Sequence, residues 1–140
     1  MDHLQRASVT LILQGDDLDP DELTALLGRQ PKIGTRMGET FIGHNGRTET
    51  ASTGKWIYST GYRVPPDIDG QIGELLDSLP ASLSIWSDLA TKFDCYVALG
   101  IYFAEDSWTG GIYLQPHTLQ MLGERGLALD FDMYAAAAPE

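Results

Sequence analysis

Hydrophobic and polar positions alternate without a break from Leu127 to Tyr134. Leu127, Leu129, Phe131 and Met133 fall on one side, and Ala128, Asp130, Asp132 and Tyr134 on the other. A period of two sustained over such a stretch describes a strand with one face in a core and the other near water. The same period occurs near the start, where Ala7, Val9, Leu11 and Leu13 alternate with Ser8, Thr10, Ile12 and Gln14 up to Gly15. It occurs again where Cys95, Val97, Leu99, Ile101 and Phe103 alternate with Tyr96, Ala98, Gly100, Tyr102 and Ala104. Gly54 to Thr60 reads as an aromatic strand with Trp56 and Tyr58, Lys32 to Arg36 as a short strand after Pro31, and Ile112 to Leu114 as another.

Between the strands the period changes to that of a helix. Asp19 is placed to cap a helix that Pro20 opens and Gly28 ends, with Asp21 and Glu22 at its positive end and Leu23, Leu26 and Leu27 inward. Ile68, Ile72, Leu75, Leu76 and Leu79 predict a second helix over 67–79. Pro80 interrupts it, and Leu83, Trp86, Leu89, Ala90 and Phe93 form the stripe of a third, capped by Ser82. Pro116 to Leu122 makes a short last helix. Met37 to Thr53 has neither period and is rich in Gly, Thr and Asn, so it reads as a long, mobile hairpin connection.

These elements predict one α+β domain over 1–140, a mostly antiparallel sheet with helices packed on one face and loose termini at 1–5 and 135–140. Leu18, Pro20, Leu23 and Leu26 match Leu114, Pro116, Leu119 and Leu122 at a constant offset of 96. That match, with strand, helix, strand at both ends, points to pseudo-symmetric halves.

Charge narrows the choice of partner. The net charge of −11 repels phosphate backbones, which argues against nucleic acid and for a basic protein. Residues 29–63 hold six basic and two acidic side chains, net +4, while the rest of the chain is net −15. No run approaches the roughly 18 apolar residues of a membrane span. A lone cysteine, Cys95, and no leader pattern at Met1 to Arg6 make the cytoplasm the expected location.

Three stretches together carry a resemblance. Gly15-Asp-Asp-Leu-Asp-Pro-Asp-Glu-Leu leading to Gly28, the Lys55-Trp56 pair after the Gly-rich loop, and Leu127-x-Leu-Asp-Phe-Asp-x-Tyr134 resemble the bacterial domain-of-unknown-function family numbered four-two-seven-nine. The resemblance covers nearly the whole chain and implies no activity, ligand or cofactor.

Motif chemistry is sparse. Asp17, Asp19 and Asp21 have the spacing of a calcium loop, but Glu22 stands where such a loop needs Gly, and Gly28 where it needs Glu, so helix capping accounts for them. His3, His44 and His117 form no pair with metal-ligand spacing, and no cofactor is expected. Cys95 lies on the apolar side of its strand, where a thiol acts as a small hydrophobe.

What remains is a surface. Asp130, Asp132, Tyr134, Tyr96 and Tyr102, with Tyr113, would share the sheet face turned from the helices. Side-by-side carboxylates such as Asp130 and Asp132 would otherwise answer basic neighbours or discourage edge pairing. The expected function is a non-enzymatic protein-binding module, for example an immunity-type protein neutralising a basic toxin. One alternative is an enzyme or small-ligand binder whose 37–53 loop closes as a lid over a pocket of Trp56, Tyr58, Glu105 and Trp108. The other is self-association, a structural homodimer that buries the wet face.

Overall fold

Strand β1 (Leu4–Gly15) collects the longest alternating run and occupies the centre of the sheet. A computed structural model describes residues 4–104 and 111–134. Helix α1 (Pro20–Leu27) follows, then the short β2 (Ile33–Thr35), a hairpin of β3 (Thr40–Ile42) and β4 (Thr48–Thr50), and β5 (Gly54–Arg63). Helices α2 (Ile68–Asp77) and α3 (Leu83–Lys92) lead to β6 (Asp94–Phe103), and α4 (Pro116–Glu124) leads to β7 (Ala128–Tyr134). The main sheet runs β2-β5-β1-β6-β7, antiparallel except for the parallel pair β6 and β7.

Two crossovers interleave in this order. β1 and β2 run parallel with β5 between them, and β5 and β6 run parallel with β1 between them. This is the split β-α-β-β-α-β arrangement, with α4 and β7 added beside β6. Both ends follow strand, helix, strand, but β5 separates β1 from β2 whereas β7 lies directly against β6.

All the helices cover one face. Ala7, Val9, Leu11 and Leu13 of β1 and Val97, Leu99 and Ile101 of β6 are fully buried there, against Ile72, Leu75, Leu76, Trp86 and Leu89. The caps follow the local sequence: Asp19 accepts from Asp21 N at 3.0 Å, and Gly28 adopts φ 71°, the left-handed conformation that ends α1. Three side chains of the helix layer and the sheet pair their buried polar atoms. Trp56 Nε1 donates to Thr24 Oγ1 at 3.1 Å, Trp86 Nε1 to Pro80 O at 2.8 Å, and Gln71 Nε2 to Ala7 O at 2.9 Å.

Several expectations are corrected. Leu4 and Gln5 belong to β1 rather than to a loose terminus, because β1 continues pairing with β6 as far as Leu4 opposite Phe103. Ile112 to Leu114 is not a strand: no ladder reaches it, and Gln115 N donates instead to Asp69 Oδ1 of α2 at 2.8 Å. The 37–53 connection is a hairpin as expected, but one with a two-stranded sheet of its own, closed by Gly43 N donating to Arg47 O and Gly38 N to Ala51 O. Leu26, Leu83 and Ala90 are exposed, since α1 and α3 each bury a narrower stripe than their apolar residues allow.

On β7 the apolar side is turned as predicted but only half covered. Exposure rises from 6% at Leu127 to 41% at Phe131 and 57% at Met133. Their neighbours on β6, Leu99 and Ile101, are completely buried, so the helix layer stops between the two strands.

Candidate functional site

Among the described residues no helix lies on the second face of the five-stranded sheet, and the strand register fixes which side chains meet on it. Across β1, β6 and β7 the rows are Arg6, Tyr102 and Tyr134; Ser8, Gly100 and Asp132; Thr10, Ala98 and Asp130; and Ile12, Tyr96 and Ala128. On the other flank β5 sets Tyr62 beside Ser8, Ser59 beside Thr10, Ile57 beside Ile12 and Lys55 beside Gln14. Thr10 Oγ1 donates to Ser59 Oγ at 3.1 Å, tying the middle of this face together.

One end is aromatic. Tyr102 stacks on Tyr134 with ring centroids 4.8 Å apart and 18° between planes, and meets Tyr62 edge-on at 5.8 Å. The Arg6 guanidinium carbon lies 4.2 Å from the Tyr102 centroid and 4.6 Å from that of Tyr62, within cation–π range of both. Its Nε is buried with no hydrogen-bond partner among the described residues, so the ring faces receive its charge. The Tyr62 hydroxyl donates to that of Tyr102 at 3.5 Å, and this contact with burial raises the Tyr102 pKa while Arg6 opposes the rise.

The β7 side is acidic. Asp130 and Asp132 are exposed, and their neighbours on β6 are Ala98 and Gly100, which offer no countercharge. Neither takes part in an ion pair among the described residues. Tyr96, in the row next to Asp130, has its pKa raised by burial first and then by Asp130, Asp132 and Asp94. Gly100 has no room for a side chain on this face, since a Cβ there would lie 2.7 Å from Ser8 Oγ.

Tyr96, Tyr102, Tyr134, Asp130 and Asp132 therefore share one surface. Tyr113 does not belong to it, since it lies outside the sheet in the segment before α4. Of the residues expected to line a pocket under the 37–53 loop, Trp56 and Tyr58 lie away from it. Trp56 is fully buried on the helix face, and Tyr58 lies on that same face with its hydroxyl 3.1 Å from Ser78 Oγ. Glu105 and Trp108 lie outside the described residues.

The hairpin of β3 and β4 instead stands over the opposite face, where a cleft of about 790 Å³ opens between it and β2 and β5. Ile33, Ile57, Phe41 and Ile42 supply its apolar lining, with Lys32, Lys55 and Glu49 among the charged groups. The acidic start of α1 is used structurally: Asp19 and Asp21 bind Arg36 at 2.7 and 2.9 Å, joining α1 to the end of β2.

Sequence reading missed Tyr62 and Arg6. Strict alternation from Trp56 puts Tyr62 on the helix side. However, β5 holds one extra residue between the partners of Thr10 and Ser8, with Gly61 at φ 88°, and this bulge turns Tyr62 onto the open face. Arg6 precedes Ala7, the first residue of the buried row, so the apolar alternation carries no sign of its place on the open face.

No helix among the described residues is long and apolar enough to cross a membrane. No curated protein and no solved structure gives a match. One family model does, over residues 5–136, a span that takes in every helix and nearly every strand residue described, and the chain accordingly belongs to the family described as Domain of unknown function (DUF4279).

Proposed function

We propose that this protein is a small, acidic, non-enzymatic binding module of the cytoplasm that holds a basic protein partner on its open sheet face. The supporting observation is that one continuous surface carries the Tyr62, Tyr102 and Tyr134 cluster beside Asp130 and Asp132, two exposed carboxylates without ion pairs among the described residues. Stacked tyrosines present wide, amphipathic area with little rotamer freedom left to lose, and free carboxylates steer a cationic partner and fix its register.

The test is affinity capture with the native chain and with Tyr102→Ser and Asp130→Asn/Asp132→Asn variants, at low and raised ionic strength. Salt-sensitive capture of a basic protein, weakened by both variants, supports the reading. Capture indifferent to salt and to both variants refutes it.

The cleft under the β3 and β4 hairpin supports a second reading, a small-ligand binder. Its size falls in the range of about 300–1,000 Å³ usual for ligand sites, and Lys32 and Lys55 at an apolar floor suit an anion with an apolar body. Binding of an aromatic sulfonate dye that is lost in Lys32→Glu/Lys55→Glu and kept in Asp130→Asn/Asp132→Asn separates this reading from the first.

A further inference from the structure

We infer that the outer edge of β7 takes up an extended segment of a basic protein as a sixth strand, with alternating apolar and cationic side chains. This rests on the reading of the open face as a surface for a basic partner and specifies how the partner engages. Among the described residues no strand pairs with that edge. A seven-residue strand ends the sheet there, whereas the opposite edge is the three-residue β2. Free edges of this length are templates for strand addition, in which backbone hydrogen bonds supply affinity and alternate side chains supply specificity.

The two faces of β7 state what the added strand must carry. On the helix side Phe131 and Met133 are 41% and 57% exposed beside fully buried Leu99 and Ile101, so an apolar stripe continues past the end of the helix layer. On the open side Asp130 and Asp132 stand without ion-pair partners among the described residues in a chain of net charge −11. A strand alternating valine-like with lysine-like residues would cover the first and neutralise the second.

A second copy of the chain does not meet these conditions. An antiparallel pairing of two β7 strands about a two-fold axis at Asp130, Phe131 or Asp132 always sets aspartate opposite aspartate on the open face. Like charges directly opposite across a ladder are destabilising.

The experiment uses the full chain and a synthetic strand of about nine residues alternating Lys and Val. Its controls are the same peptide with alternate amides N-methylated and a peptide of equal composition with the Lys and Val residues in separate blocks. Dissociation constants are read by fluorescence anisotropy, and exchange of the 128–134 amides by hydrogen–deuterium mass spectrometry. The expected result is binding by the alternating peptide with slowed exchange in β7. Losses of about tenfold or more are expected on N-methylation and in Phe131→Ser/Met133→Ser, and of about fivefold in Asp130→Asn/Asp132→Asn, the size of two exposed ion pairs.

Binding that is indifferent to N-methylation, leaves β7 exchange unchanged and is lost in Tyr96→Ser/Tyr102→Ser overturns strand addition while the open-face reading survives. No binding by any of the peptides overturns both. Concentration-dependent protection of β7 in the protein alone, with a dimer in sedimentation, overturns the proposal in favour of a second copy.

Discussion

Gln71 is the buried polar residue that fastens the helix layer to the central strand, and its replacement gives a measurable test of that role. Its side chain is 2% exposed, donates to Ala7 O at 2.9 Å and accepts from Asp67 N at 3.0 Å. The second bond completes the start of α2, where Asp67 also accepts from Gly70 N at 3.1 Å, a reciprocal cap like a capping box displaced by one position. Gln71→Met keeps most of the volume but leaves a buried carbonyl on β1 and a half-buried amide at the cap unpaired. At about 1–3 kcal/mol for a fully buried orphan and less for the half-buried one, the expected loss is about 2–4 kcal/mol. Set against a total of about 5–15 kcal/mol, that is a large fraction. Gln71→Ala adds a cavity and should lose roughly 1–2 kcal/mol more.

The assay is urea unfolding followed by tryptophan fluorescence, for which Trp56 and Trp86, both fully buried, are internal reporters. A lower midpoint at unchanged slope is expected. A loss below about 1 kcal/mol in Gln71→Met would refute the argument, because it would mean that water satisfies Ala7 O as well as the amide does.

Gly54→Ala should destabilise by about 1–3 kcal/mol, the range for overpacking. Its Cβ would meet Gly15 O at 2.8 Å and Leu18 O at 3.0 Å, backbone atoms that cannot rotate away, and a thermal melt reads the effect. Burial pushes the Cys95 thiol up from 9.0 to about 11. The unfolded chain thus releases this proton first, so the contribution of Cys95 is complete below pH 9.0 and is lost as pH rises through about 11. Cys95→Val should flatten that alkaline decline in urea midpoints measured across the window, and an unchanged decline would refute it. Asp130→Asn/Asp132→Asn should increase concentration-dependent self-association in sedimentation velocity relative to the native chain, because it removes the like charges that oppose β7 pairing. The same variant should bring Tyr96 closer to its ordinary pKa while leaving it raised, since burial is the larger cause, as ultraviolet titration of the phenol would report.

The sequence by itself determined the α+β class, the capped helix from Pro20 to Gly28, the buried faces of β1 and β6, and the side of β7 on which Asp130 and Asp132 stand. These follow from local rules: a period of two or 3.6 and a capping residue act within a few positions of the chain. Tertiary structure decided where each face meets a neighbour. The Gly61 bulge moved Tyr62 across the sheet to complete the cluster with Arg6, Tyr102 and Tyr134, and the strand order made β7 an edge. It also fixed the end of the helix layer, so that Phe131 is exposed while its neighbour Leu99 is buried. Hydrophobic alternation states which side chains should avoid water, but whether a covering layer reaches them depends on residues distant in sequence. For that reason the composition of the open face was partly legible and its free edge was not.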